Sequence, residues 1–384
     1  MPELDGPLTA LRGQFREWGR DFRARALELD RDPAAVRGWF DLPAVRYLAT
    51  MGIPAEYGND PEPIAGHRFH GTRAVERAVI MEELSCADAG VLVASPGPLL
   101  AGVLVGLLAD KQQKEWFYGR MLAEPLWTFF ALTEPDNGSD ASAMRTALRP
   151  AGDGGALLTG AKRFVGNAAR AQLGVVFARN RPGPLGVVAV LTETAVPGYR
   201  AEVLPTIGLR GACISAVELD GVEIPEERLL GRHLPPSRRG TWAFIQTFNR
   251  LRPGVAAIGV GMARAALEYV RAHRGPLRTG EHDRLEQLER RVDATRRLVH
   301  RAAAAVDAGG PDGGPLASAA KLRASALAED ATLAACGLFG PGARLDHPLL
   351  DKLARDARSL EFIEGTSAMQ RLNVYQGFAS GKLT

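Results

Sequence analysis

The chain has 384 residues, 46% hydrophobic and 24% charged, an ordinary balance for a soluble globular protein with enough chain for two or three cores. Its net charge of +3 comes from Arg interleaved with Asp and Glu, so no basic block points to a nucleic acid. Cys86, Cys213 and Cys336 lie too far apart for a disulfide framework or a zinc site, and they suit a reducing cytoplasm.

In chain order, residues 1–123 read as helices. Leu11, Phe15, Trp18, Phe22 and Leu29 recur at helical spacing, and Arg12, Arg16, Glu17 and Arg20 interrupt any signal peptide. Val75, Val79, Ile80 and Leu84 repeat the pattern, with a turn over 51–58 between the two. Val91–Ala109 is the most apolar segment, but Ser95-Pro96-Gly97-Pro98 breaks it. It is too short to span a bilayer and reads as a loop entering a buried helix. Lys111–Leu122 is a charged amphipathic helix.

From 124 to 232 the apolar runs shorten, separated by Gly, Pro, Asn and Asp. Trp127–Leu132, Ala156–Thr159, Gly174–Ala178, Gly186–Leu191, Tyr199–Leu204 and Ala216–Leu219 are strand-length, which predicts a β barrel or sandwich. Within 233–384 helices return from Trp242 onward: a long one over Phe248–His273, then Leu285–Val306, Leu316–Cys336 and a final pair. Gly309–Pro315 and Gly337–Pro348 read as loops.

Four stretches carry residues suited to chemistry. In Arg355–Arg371, Glu364 precedes Gly365-Thr366-Ser367 where one helix ends and another begins. It is either a solvated Glu on a capped turn or a carboxylate aimed into a cleft, with Thr366 or Ser367 capping the next helix. In Ala131–Asp140 a strand runs into a hydroxyl-rich turn, and Thr133 and Ser139 can bond a ligand over it; Pro-Asp-Asn-Gly is also simply a good turn. In Lys162–Asn167, Phe164 either stacks on a flat ring or joins the core. In Phe248–Pro253, Arg252 holds a phosphate or amide, or pairs with a surface carboxylate. No His pair has metal-ligand spacing, and Gly340-Pro341-Gly342 lacks a dinucleotide-fold context.

Together and in this order, these stretches resemble the acyl-CoA dehydrogenase family of flavoproteins from about Gly52 to Val374. ALTEPDNGSD resembles one signature and the RDA…EGT…QR block a second; LPTIGLRG, VEIPEERLLG and FNRLRPGVAAIGVG are further matches. The resemblance implies an α+β fold: an N-terminal α-helical domain (1–123), a middle β-barrel domain (124–232) and a C-terminal four-helix bundle (233–384). It implies FAD between the last two domains, a homodimer or homotetramer, and flavin contacts across the subunit boundary.

By the same resemblance Glu364 is the catalytic base. It takes the α proton of an acyl thioester while a hydride leaves the β carbon for flavin N5, and its own N–H helps bind the thioester oxygen. Some relatives carry the base on the long helix, where this chain has Leu251. Leu132, Thr133, Ser139, Phe164, Val165, Gly166 and Thr366 fall where the family binds flavin. Ser139, Asn249, Arg252 and Gly365 fall where it binds substrate.

Departures from the pattern shape the expectation. A Trp and the Thr that follows its neighbour are here Phe164 and Gly166. The Arg-x-x-Phe-Gly that holds FAD across the interface is missing, leaving Arg274 or Arg278 as replacements, and Cys336 and Phe339 stand where Gln and Gly are usual. These losses imply weaker FAD binding or a differently held adenine. They also imply a secondary-metabolic relative acting on acyl-CoA or an acyl-carrier-protein thioester, with electron-transferring flavoprotein or oxygen as acceptor. Pro96-Gly97-Pro98 aligns with the pocket floor, so a short or polar acyl chain is expected. Two other readings stand beside this one: a same-fold flavoenzyme oxidising another carbon of a carrier-bound substrate, and a flavin-poor binding homologue.

Overall fold

The computed structural model describes residues 5–152 and 154–383. It opens with α1 (Gly6–Arg31), α2 (Pro43–Thr50), α3 (Ala74–Ala94), α4 (Leu99–Leu108) and α5 (Lys111–Ala123). Local chemistry fixes the ends. Asp5 caps α1 at Leu8 N, and Asp110 and Gln113 close a reciprocal capping box on α5. Inside α3, Asp88 has extended backbone (φ −161, ψ 117). Its carboxylate accepts from Val91 N at 2.8 Å and so caps the second half of the helix. The Ser95–Pro98 loop then joins the sheet: Gly97 bridges Trp127, and Trp127 Nε1 donates to Ala94 O at 2.7 Å.

The middle of the chain forms β1 (Thr128–Ala131), β2 (Ala147–Pro150), β3 (Ala156–Val165), β4 (Leu173–Arg179), β5 (Val187–Glu193), β6 (Tyr199–Val203) and β7 (Ser215–Ile224). They make one seven-stranded curled sheet in the order β1-β4-β2-β3-β7-β6, with β5 also on β4. β4 is buried along almost its whole length, as its unbroken apolar run requires, whereas β7 largely alternates. β2 has no apolar run and was not expected; pairing with β3 makes it a strand.

The remaining helices are α6 (Gly240–His273), α7 (Thr279–Asp307), α8 (Gly313–Phe339), α9 (Ala343–Asp346), α10 (Pro348–Ser359) and α11 (Ser367–Ala379). α6 begins at Gly240 rather than Phe248, because Ala243, Thr247 and Leu251 extend its buried stripe. The expected 309–315 loop is shorter than its composition suggests, since Gly313 already opens α8, with Pro315 in the first turn. Among the described residues no helix is long and apolar enough to cross a membrane.

Small residues let α6 sit close against its neighbours. A Cβ on Gly254 would lie 2.5 Å from Met81 Sδ, and one on Gly261 would lie 2.1 Å from Ser85 Oγ on α3. On the α8 side, a Cβ on Gly259 would lie 2.8 Å from Ala324 O. The signature FNRLRPGVAAIGVG is therefore largely a packing code.

One buried charge cluster ties the three blocks together. Lys352 of α10 donates to Asp88 of α3 and to Asp356, each at 2.6 Å, and all three side chains are at most 2% exposed. Asp356 also accepts from Leu209 N at 2.6 Å, in the loop between β6 and β7. Burial pushes the Lys352 pKa down, but the two carboxylates outweigh it and hold the ammonium charged. Next to it, Arg355 pairs with Asp30 of α1 at 2.6 Å and donates to Ile207 O at 2.7 Å. Replacing Lys352 by Met leaves two carboxylates buried without their cation. We expect a loss of about 3–5 kcal/mol in stability, read by denaturant unfolding.

Candidate active site

α10 ends at Ser359, a single 3-10 turn follows over Leu360–Phe362, and α11 begins at Ser367. Glu364 sits in the break with left-handed backbone (φ 53), followed by Gly365 at φ 99. A left-handed non-glycine residue costs about 1–3 kcal/mol and persists only where its surroundings hold it. Here the surroundings are explicit. Gln370 Nε2 donates to Glu364 O and Gly365 O, both at 3.0 Å. Arg252 Nε reaches Glu364 O at 3.4 Å, and Lys321 Nζ donates to Gly365 O at 2.6 Å and Glu361 O at 3.0 Å. Thr366 is the N-cap of α11. Ser367 instead bonds Glu361, with N–H and Oγ donating at 2.8 and 2.5 Å.

The Glu364 carboxyl is turned inward: the residue is half-buried, but Oε2 is fully buried with no hydrogen-bond partner. Burial pushes its pKa up to about 8, against the pull of Arg252, Lys321 and Arg77. The solvated-turn alternative is thereby excluded.

Arg252 is 8% exposed. It donates to Asn249 Oδ1 at 2.8 Å and Ser318 Oγ at 3.5 Å, so it does not pair with a surface carboxylate. Pro253 lacks the N–H that would bond Asn249 O, and Arg77 Nη2 donates to the next carbonyl, Arg250 O, at 3.0 Å. Arg252 Cζ lies 5.6 Å from the Phe248 ring centroid, and that ring lies 5.7 Å from Phe130 on β1. The start of α6 thus links the Glu364 junction to the strand that ends in Leu132 and Thr133.

Those two motifs of the sheet also meet. Arg163 N donates to Thr133 O at 2.9 Å, which puts Phe164 beside the turn. Phe164 is not core: it is 60% exposed on left-handed backbone (φ 60) at the end of β3, with Arg163 Cζ 5.4 Å from the ring centroid. The exposed ring is available for a flat partner to stack on. Leu132 and Val165 are buried, Thr133 is half-buried and Ser139 is exposed. Gly166 is not required by space, since a Cβ there would meet Ala212 O at 3.8 Å, an ordinary contact.

Sequence reasoning missed what holds the turn up. Lys162, fully buried, donates to Glu134 Oε1 at 3.0 Å and Leu132 O at 3.1 Å. Glu134 also accepts from Arg145 N and Thr146 N at 2.6 and 2.8 Å. The signal was the glutamate inside LTEPDN together with a lysine in an otherwise strand-like run. Arg274 and Arg278 lie apart from Glu364, at the turn from α6 to α7. Arg274 Nε donates to Leu338 O at 2.9 Å, and Arg278 N donates to Glu281 Oε2 at 2.9 Å.

Residues 129–222 match the acyl-CoA dehydrogenase middle domain and residues 238–378 the acyl-CoA dehydrogenase C-terminal domain. An acyl-CoA dehydrogenase of Bacillus subtilis (strain 168) is 31% identical over 346 residues, covering 86% of this chain and 87% of that protein. The chain belongs to the acyl-CoA dehydrogenase family. It is accordingly a flavin oxidoreductase. Its fold is also that of the FAD complex of PigA (TM-score 0.87, 21% identity, 98% of each chain). The prolyl acyl carrier protein oxidase AnaB shares it too (TM-score 0.81, 20% identity, 98% of this chain and 100% of that one). At these identities the likeness is one of fold.

Within the family frame, the raised pKa of Glu364 has a thermodynamic sign. Between about pH 4.5 and 8 the folded protein keeps a proton that the unfolded chain has lost, so stability falls as pH rises, by at most about 1.4 kcal/mol per pH unit. Glu364→Gln removes this slope. We expect its Tm to exceed that of the parent increasingly from pH 5 to pH 8 and the gap to level off above, as read by thermal melts across pH.

Proposed function

We propose that this protein is an FAD-dependent dehydrogenase of acyl thioesters in which Glu364 removes the α proton. The observation that carries the proposal is the buried, unpartnered Oε2 of Glu364, poised to titrate near pH 8. A base must be desolvated enough to be strong, yet deprotonated often enough to act near neutral pH, and this environment meets both needs. Glu364 Oε2 accepts the proton, and Arg252, Lys321 and Arg77 stabilise its charged form before transfer.

The residues present fit FAD. Phe164 offers an exposed apolar face, Thr133 a hydroxyl beside it, and Thr366 a hydroxyl at the start of α11. Leu132, Val165, Gly166 and Ser139, on the same two segments as Thr133 and Phe164, complete the set assigned to the cofactor. FAD supplies, when bound, a two-electron acceptor for the hydride from the β carbon. The chain's own part is to orient the thioester, exclude water from Oε2 and hold the abstracted proton there. Asn249, Arg252 and Gly365 are assigned to the substrate: Gly365 follows the base, and Arg252 reaches Glu364 O while donating to Asn249 Oδ1.

Arg274 already spends its Nε on Leu338 O, which supports weaker retention of the cofactor at this turn. Exposed Phe362, Leu372, Tyr375 and Phe378, 45–70% accessible, support self-association through the α11 face. The substrate is a short or polar acyl group on CoA or on a carrier protein.

Glu364→Gln should lower kcat by about 10²–10⁴-fold while flavin absorbance remains. In the parent, kcat/KM should rise with pH and level off above about 8, as the carboxyl ionises. Anaerobic flavin bleaching by a panel of CoA and carrier-protein thioesters tests the reaction itself; bleaching by none of them, or undiminished bleaching by the Gln variant, refutes it. Phe164→Ala should cost roughly tenfold in FAD affinity, read by fluorescence titration of the deflavinated chain, given about 0.5–1.5 kcal/mol for an aromatic stack beyond its area.

A further inference from the structure

The peptide carrying Glu364 is gripped by donors from three helices: Lys321 on α8, Gln370 on α11 and Arg252 on α6. Lys321 stands out among them. It is 0% exposed, and both of its bonds go to carbonyls, Gly365 O at 2.6 Å and Glu361 O at 3.0 Å, rather than to a carboxylate. A buried ammonium is costly to keep, and an apolar residue would fill the same space without that cost. Its two acceptors bracket the one left-handed glutamate in the site.

We propose that Lys321 is a positioning residue for proton abstraction: it clamps the carbonyls on either side of Glu364, fixing the backbone that aims the carboxyl, and its charge favours the carboxylate form. This rests on Glu364 being the base. The charged groups around the pair are Arg252 on α6, Arg77 on α3 and Glu361 in the junction, with Arg358 of α10 facing Glu361. Burial pushes Lys321 down to about 8, against Glu361 and Glu364.

The test compares the flavin-loaded parent chain with Lys321→Met, Lys321→Gln and Glu364→Gln, measuring kcat and KM across pH, and Tm across pH. Lys321→Met should lower kcat by about 10²-fold with KM little changed, as a misaimed base does. It should move the rising limb of the pH profile upward by about one unit, since a nearby cation is lost. The pH at which the Tm gap to the matching Glu364→Gln double variant levels off should move upward with it. Lys321→Gln keeps a donor without the charge, so it should recover part of kcat but not the limb.

A Met variant with the parental kcat and limb overturns the proposal. So does one that merely melts lower with the limb in place, which is the behaviour of a structural lysine. If the Met variant does not fold, an unshifted limb in Lys321→Gln overturns it as well. Should Glu364→Gln turn over like the parent, the base assignment fails. The Tm readout then still decides whether Lys321 controls the titration of residue 364.

Discussion

A buried ammonium, that of Lys352, joins the three blocks of this protein just before the Glu364 junction. It sits between Asp88, at the break in α3, and Asp356, in the last turns of α10. Asp356 in turn holds Leu209 N in the loop between β6 and β7. Helical N-terminal block, sheet and bundle therefore share one electrostatic knot. α10 runs directly from it into the Glu364 junction, so the knot sets where that junction can lie. Such clusters repay their desolvation poorly in free energy and are better understood as fixing geometry. The pair Lys162–Glu134 acts in the same way under the Thr133 turn, on a smaller scale.

The Glu364 carboxyl opposes this order. Glu364 occupies an unfavourable backbone region, and its Oε2 is buried without a partner. Both features weaken the fold locally, and both suit a group that must take a proton rather than satisfy a structural bond. The gripping donors Lys321, Gln370 and Arg252 all attach to backbone carbonyls and leave that oxygen alone.

Much of this was legible in the sequence, for identifiable reasons. Helix positions followed from apolar spacing, and the sheet followed from short runs between turn residues. The junction at Glu364 followed from Gly365 and the capping Thr366. What escaped was tertiary. β2 has no apolar signature and exists through its partner strand. The first turn of α8 was hidden by Gly313, Gly314 and Pro315, which composition reads as loop. Phe164 was equally readable as core or as platform, and its exposure rules out the core. The RDA and GLRG matches are largely architectural: Arg355 and Asp356 grip the loop that carries Leu209. Lys321 and Gln370 gave no local sign, because nothing in their own stretches names the carbonyls they hold.

The glycines of α6 carry one more implication. Beyond Arg77 and Arg250, the seam between α3 and α6 shuts almost at once, with Met81 against Gly254 and Ser85 against Gly261. A methyl added at Gly261 would also meet Glu82 O at 2.4 Å, so the two backbones lie with no slack between them. The helix pair thus behaves as a single strut, and it holds Arg77 and Arg252, the cations that face Glu364 from either helix, at a fixed separation.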